Sequence, residues 1–248
     1  MDSPGTTWPA TVATAAPLEV YLLGVVDFES ALFLQERLVY EISGRNDRQG
    51  ALLVCEHPPI VTVGREGSRA HIRAEPRELA ARLISVRWLN RGGGCFVHAP
   101  GQLVACPIVP LDRLGLGLAD YRERLELAVV DAAGEQRVPA FRRDDEPGVW
   151  SRRGQFAHVG VAVKSWVAYH GVYVNVAPAP ELMRLVQANR AGERVTSLAA
   201  LRERTVPMST VREALIRRLV ARLGYARFHI YTGHPLLRRT QQRVYAGV

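Results

Sequence analysis

Residues 91–108 read RGGGCFVHAPGQLVACPI. Gly92, Gly93 and Gly94 follow an extended segment, SVRWLNR (85–91), and what comes next decides the fold. A glycine run that opens a helix would announce a parallel dinucleotide-binding unit, and GxxxxGK[ST] would announce a phosphate-binding loop. Here no lysine follows, and CFVH (95–98) has the pattern of a strand. Pro100-Gly101 breaks it, and QLVACPIVP (102–110) continues as extended chain. Glycines between strands fit a mixed sheet better than strict βαβ alternation.

The rest of the chain agrees. VYLLGVV (20–26) reads as a strand, and Asp27 caps a helix that runs to about Ser43 before Gly44. ALLVCEH (51–57) and IVTVG (60–64) are strands separated by Pro58-Pro59. A polar helix is expected near 75–83 and an apolar one over 118–133. GVWS (148–151), QFAHVGVAVKSW (155–166) and VAYHGVYVNV (167–176) predict two hairpins. Another helical segment is expected near 180–187. A capping box at Thr210–Glu213 opens the last helix, which stops at Gly224, and RFHIYT (227–232) is a final strand.

The chain has 248 residues, 48% of them apolar, with no linker composition that would split it. One domain is expected over 18–233, with a disordered tail at 1–17 and a loosely held one at 234–248. No uninterrupted apolar stretch is long enough to span a membrane. Cys55, Cys95 and Cys106 are an odd number without metal-type spacing, which points to a reducing, cytoplasmic compartment. The net charge is +8, and of the 32 basic residues only Lys164 is a lysine. No basic run or aromatic-interleaved stripe appears, so nucleic acid is disfavoured, and an acidic protein partner remains.

The glycines permit positive φ and close backbone approach, so they could form an amide nest for a carbonyl or phosphate oxygen. A tight turn between strands explains them equally well. His98 has two readings as well: a satisfied core imidazole, or a group that holds an acyl carbonyl.

EHPPIVTVGR (56–65), RGGGCFVHAPGQLVACPI (91–108), GVWSRRGQFAHVGVAV (148–163), HGVYVNV (170–176) and VTSL (195–198) occur in that order. Together they resemble the lipoyl(octanoyl) transferase family, within the wider biotin/lipoate protein ligase superfamily. The resemblance implies an α/β (α+β) single domain with a mixed β-sheet and packed helices, the ligase catalytic-domain fold. It implies transfer of octanoate from acyl carrier protein, which is acidic, to a lysine of a lipoyl domain, by a monomer with no cofactor and no metal. Arg91, Gly92, Gly93, Gly94, His98, Gly101, Gln102, Gly160, His170 and Gly171 would line the substrate pocket, with His170 and Gly171 at a strand start.

The family's chemistry uses a cysteine nucleophile and a lysine that lowers the thiol's pKa. The lysine position holds Gln155, and the cysteine position, seven residues before Val195, holds Ala188. No cysteine follows Cys106. The family's threonine and tyrosine before the histidine are Phe96 and Val97, and the glycine after it is Ala99. Lys164 lies nine positions beyond Gln155 on the same expected strand, roughly 30 Å away and on the opposite face by parity. Cys95 has opposite parity to His98, which leaves Cys106 as the least poor substitute nucleophile. Three functions remain open at this point. One is an octanoyltransferase impaired in catalysis, working by direct aminolysis with His98, His158 or His170 as base. Another is a non-catalytic protein that binds an acyl chain, a carrier or a lipoyl domain. The third is an ATP-dependent lipoate or biotin ligase, which the missing lysine disfavours equally.

Overall fold

A computed structural model describes residues 17–237. The expected tails therefore fall, apart from Pro17 and residues 234–237, outside the described residues.

Strand β1 (Leu18–Val25) leads into helix α1 (Phe28–Ser43). Asp27 caps α1 by accepting a hydrogen bond from Ser30 N at 2.9 Å, and Ala31, Leu34, Leu38 and Ile42 form its buried stripe. Then follow β2 (Gly50–Glu56), β3 (Ile60–Val63), α2 (Pro76–Ala81), β4 (Ser85–Trp88), β5 (Cys95–His98) and β6 (Gln102–Pro110). Helices α3 (Leu111–Leu114) and α4 (Leu118–Glu135) precede β7 (Phe141–Arg142), β8 (Val149–Ser151), β9 (Gly154–Lys164) and β10 (Val167–Asn175). The chain closes with α5 (Pro180–Met183), α6 (Leu198–Arg202), α7 (Met208–Arg222) and β11 (Phe228–Thr232).

The strands form two sheets. Eight run in the order β11-β1-β2-β6-β10-β9-β8-β7, and β4-β3-β5 form a smaller one. The pairs β11/β1 and β1/β2 are parallel and the rest of the large sheet is antiparallel, so the sheet is mixed as expected. Every residue of β6 is buried, which is why its sequence is a continuous apolar run rather than an alternating one. Helices α4 and α7 pack on one face of the large sheet, where Leu125, Val129, Leu215 and Leu219 meet Val159, Val172 and Val174. The other face meets α1 and the small sheet, and the glycine segment and the 185–197 loop lie on that side.

CFVH and QLVACPIVP both form strands, β5 in the small sheet and β6 in the large one. Two local expectations fail. The segment near 180–187 is helical only over Pro180–Met183. Helix α7 begins at Met208 after Pro207, and Thr210 Oγ1 donates to Pro207 O at 3.1 Å from inside the first turn. Proline at that position already fixes the entry geometry, so the threonine is not needed as a cap.

Candidate functional site

The glycine segment is held from below by Arg91, whose side chain is fully buried. Its Nη1 donates to Gly92 O at 2.9 Å and Gly94 O at 3.2 Å, and its Nη2 donates to Thr62 O at 3.2 Å and Thr62 Oγ1 at 2.6 Å. Among the described residues no carboxylate forms an ion pair with it, and burial pulls its pKa down to about 10 although Glu66 opposes the shift. Its guanidinium carbon lies 3.9 Å from the centroid of the Phe96 ring.

Thr62 passes the polarity on. His98 Nδ1 lies 2.8 Å from Gln102 Oε1, which can only accept, so Nδ1 carries the proton. Burial, with His57 and Arg91 nearby, holds the His98 pKa well below its ordinary value, so the ring is neutral and Nε2 accepts from Thr62 Oγ1 at 2.9 Å. Gln102 Nε2 donates to Asn175 Oδ1 at 2.9 Å and to Val97 O at 3.0 Å, and Asn175 Nδ2 donates to Thr196 O at 3.2 Å. A hydrogen-bonded relay therefore runs from Arg91 through Thr62, His98, Gln102 and Asn175 to the 195–197 segment. Both nitrogens of His98 are used within it.

The glycines pack backbone against backbone. Gly92 N donates to Val161 O at 2.9 Å, and Gly93 N donates to the Glu66 carboxylate at 3.1 Å. A Cβ on Gly160 would meet Gly92 O at 2.9 Å and Arg91 Cδ at 3.0 Å. Gly101 has a φ of +90°, and a Cβ there would stand 2.5 Å from Ala177 O. Gly171 makes room for Ala105 O and the Pro107 ring of β6, where a Cβ would meet them at 2.2 and 2.9 Å. His170 and Gly171 lie inside β10, not at its start. His170 has a φ of 59°, stacks on Tyr169, and its N–H donates to Gln35 Oε1 at 2.8 Å. Gly93, with a φ of +78° and Phe96 Cζ 2.8 Å from where its Cβ would stand, joins Gly101, Gly160 and Gly171 in having a packing reason, whereas a Cβ on Gly92 or Gly94 would meet nothing closer than 3.6 Å.

The two positions that the resemblance singles out lie on neighbouring segments, joined through Asn189. Gln155 opens β9, and its backbone N and O pair with Arg194 O and Thr196 N at 3.0 and 2.8 Å. Its side-chain Oε1 accepts from Asn189 Nδ2 at 3.1 Å, and its Nε2 donates to Pro147 O at 3.2 Å. Ala188 is thus one residue from a side chain in contact with Gln155. A Cβ on Gly94 would lie 3.7 Å from Ala188 O. On its other side Ala188 lines an open cavity of about 550 Å³, with Met183, Val186 and Val195 in its wall and Arg73, Arg184 and Arg194 around it. The loop is strapped by ion pairs: Arg190 Nη2 to Glu66 Oε2 at 2.5 Å and Arg143 Nη1 to Glu193 at 2.8 Å. Although burial opposes it, the Gly93 N–H and Arg190 hold the Glu66 carboxyl below its usual range.

The substitutes do not approach. Cys95 turns away from His98, with its thiol toward Ser68 O at 3.5 Å, as parity predicts. Cys106 lies in the core, where burial pushes its thiol up to about 12. Cys55 is the one thiol beside an imidazole, 3.7 Å from His57 Nε2, yet burial, Cys106 and Glu56 raise its pKa well above the ordinary value. Lys164 is exposed at the far end of β9. A bulge turns both Phe156 and Ala157 into the same core cluster, so the parity argument against Lys164 fails while the distance argument stands. His158 stacks on Phe96 with centroids 4.9 Å apart, its Nδ1 has no partner, and burial with Arg91 lowers its pKa to about 3.

Sequence reasoning missed Thr62, Glu66, Asn189 and Arg190. Asn175 and Thr196 stood in the HGVYVNV and VTSL blocks without a role. The blocks marked them, but only the tertiary hydrogen bonds give them one.

The sequence matches the family described as lipoyl protein ligase A/B catalytic domain over residues 27–220. The octanoyltransferase of Chloroflexus aggregans is 37% identical over 208 residues, covering 82% of this chain and 94% of that protein. The octanoyltransferase of Geobacter metallireducens is 37% identical over 199 residues, covering 79% and 89%. Among solved structures, lipoate-protein ligase A bound with ATP is similar with a TM-score of 0.72 at 17% identity, over 89% of this chain and 90% of that one. At that identity the likeness is one of fold.

Proposed function

The chain belongs to the lipoyl protein ligase A/B catalytic-domain family, and from that premise we propose that it works in protein lipoylation without forming a thioester on its own chain. It engages an acyl carrier thioester and a lipoyl domain at the cleft between the glycine segment and the 185–197 loop. The observation that carries the reading is the Gln155–Asn189 hydrogen bond beside Ala188. A two-step transfer needs a thiolate and a cation to keep it ionised. Here a methyl group and a neutral amide occupy those places.

The remaining groups support the same reading. A thiol with a pKa near 12, as at Cys106, is almost wholly protonated at neutral pH. An imidazole with a pKa near 3, as at His158, is a weak base. Orientation is what the cleft can supply, and it lowers barriers on its own account. Transfer therefore runs as direct attack of the acceptor lysine on the carrier thioester. The C–N bond forms, the C–S bond breaks, and the carrier thiol leaves with the proton. This route is slow beside a two-step enzyme.

The test is intact mass of both proteins after incubation with acetyl-, butyryl- and octanoyl-carrier protein, with lipoyl-domain docking measured by titration. Docking without any acyl adduct on this chain is expected. A hydroxylamine-sensitive adduct on the chain overturns the reading.

A further inference from the structure

The cavity outside Ala188 carries a charge that nothing around it answers. Its lining holds Arg73, Arg184 and Arg194, and the carboxylate in that lining, Glu193, is taken by Arg143 at 2.8 Å. Among the described residues none of the three arginines forms an ion pair or donates a side-chain hydrogen bond. Elsewhere the chain pairs its arginines: Arg190 with Glu66, Arg217 and Arg218 with Glu135, and Arg222 with Asp131. The three are exposed, but they stand on a fixed frame. Arg73 N and Ala74 N donate to Leu185 O at 2.8 and 3.2 Å, and Arg194 O accepts from Gln155 N at 3.0 Å. Arg184 closes the C-terminal end of α5. The frame holds the roots of these side chains and leaves their guanidinium groups for something outside the chain.

The rest of the lining says what that is. Ala188 stands in the same cavity as the arginines, so one molecule held there meets both. Met183, Val186 and Val195 give the wall an apolar stretch, and Thr196 and Ser197 add polar groups to it. The volume, about 550 Å³, lies within the roughly 300–1,000 Å³ of small-molecule sites. A fitting molecule has a thioester at one end, a short chain of alkyl and amide groups, and an anion at the other end. A phosphopantetheine thioester has these parts in that order. Guanidinium groups match phosphate oxygens through a planar fork of two donors, and cations that line a concave site focus their field on an entering anion.

We propose that this cavity receives the phosphopantetheine arm of the acyl donor, with the thioester at Ala188 and the phosphate held by Arg73, Arg184 and Arg194. The inference rests on the acyl-thioester reading above and names the part of the donor that the site recognises. The arginines bind the non-reacting end of the donor, and the reacting end is placed by the length of the arm.

The test compares octanoyl-pantetheine with octanoyl-phosphopantetheine, which differ only in the phosphate, by titration against the native chain. The phosphorylated thioester is expected to bind roughly tenfold more tightly at low salt, and added salt should shrink that preference. Arg73→Gln with Arg184→Gln and Arg194→Gln is expected to abolish it, bringing the phosphorylated thioester down to the affinity of the other. Arg212→Gln, on α7 and outside the cavity, keeps the preference in full. Octanoyl-coenzyme A and octanoyl-carrier protein bear the same arm. Both should weaken in the triple variant, and the tighter of the two in the native chain names the source of the arm. Equal binding of the two small thioesters by the native chain overturns the inference and leaves the lipoylation reading standing. A preference that survives the triple variant, or that Arg212→Gln also removes, overturns it too, because the phosphate is then held elsewhere or by net charge alone. ATP that binds more tightly than octanoyl-phosphopantetheine, with the same dependence on the arginines, overturns it in favour of a nucleotide. Absence of binding for both thioesters also overturns it, and lipoyl-domain docking, measured separately, shows whether the broader reading falls with it.

Discussion

The buried relay and the 185–197 loop form two sides of one cleft, and they differ in kind. From Arg91 to Asn175 the polar groups are enclosed and bonded to one another, with only Arg91 Nε left unpartnered along the chain of contacts. The loop is held by exposed ion pairs, with Arg190 65% and Glu66 36% accessible. A buried polar network carries large penalties when broken, whereas an exposed pair is worth little. Breaking the relay should therefore cost the fold far more than breaking the strap.

The comparison breaks most sharply at Gln155 and Ala188. Gln155→Lys with Ala188→Cys is expected to give a chain that carries an octanoyl group on the introduced thiol after incubation with octanoyl-carrier protein, visible by intact mass. Failure of the double variant would show that the loop does not present residue 188 to the thioester.

Arg91→Ala comes next. It leaves Thr62, Gly92 and Gly94 oxygens unpaired and removes the support of Phe96, and a loss of about 3–5 kcal/mol in denaturant unfolding is expected. Gln102→Ala strands the His98 Nδ1–H and Asn175, and should cost about 1–3 kcal/mol in the same measurement. A loss below that range would mean that water enters the relay.

The pH dependence follows from the histidines. His158 and His170 have folded pKa values near 3, below the unfolded value of about 6.5. The unfolded chain then binds more protons between those limits, so stability is full above about pH 6.5 and falls as the pH drops toward 3. Each group contributes a slope of up to about 1.4 kcal/mol per pH unit. His158→Phe should flatten the slope by one group's share, read as Tm against pH.

The smallest effect belongs to the strap. Arg190→Gln should cost less than about 1 kcal/mol, and added salt should reproduce part of it. Faster hydrogen exchange at the Gly93 amide, which the Glu66 carboxylate now holds, is the local readout.

By itself the sequence determined most of the elements. Apolar periodicity, the Asp27 cap and the proline and glycine breaks place β1, α1, the two hairpins and α4 where the structure has them, because these signals act within a few residues. The family resemblance, not a local signal, singled out Gln155 and Ala188, and the structure sets Gln155 against Asn189, the neighbour of Ala188. Tertiary structure alone decided which polar groups meet across large separations. Thr62 and His98 are 36 residues apart, and Glu66 and Arg190 are 124 apart, and nothing local in either segment encodes the pairing. It also decided that Gly93, Gly101, Gly160 and Gly171 serve packing, since a close approach has two sides and the sequence around a glycine displays only one. Phe96 is the clearest case. In the sequence it is one bulky residue in a strand, and only the fold brings the Arg91 guanidinium and the His158 and Tyr173 rings around it.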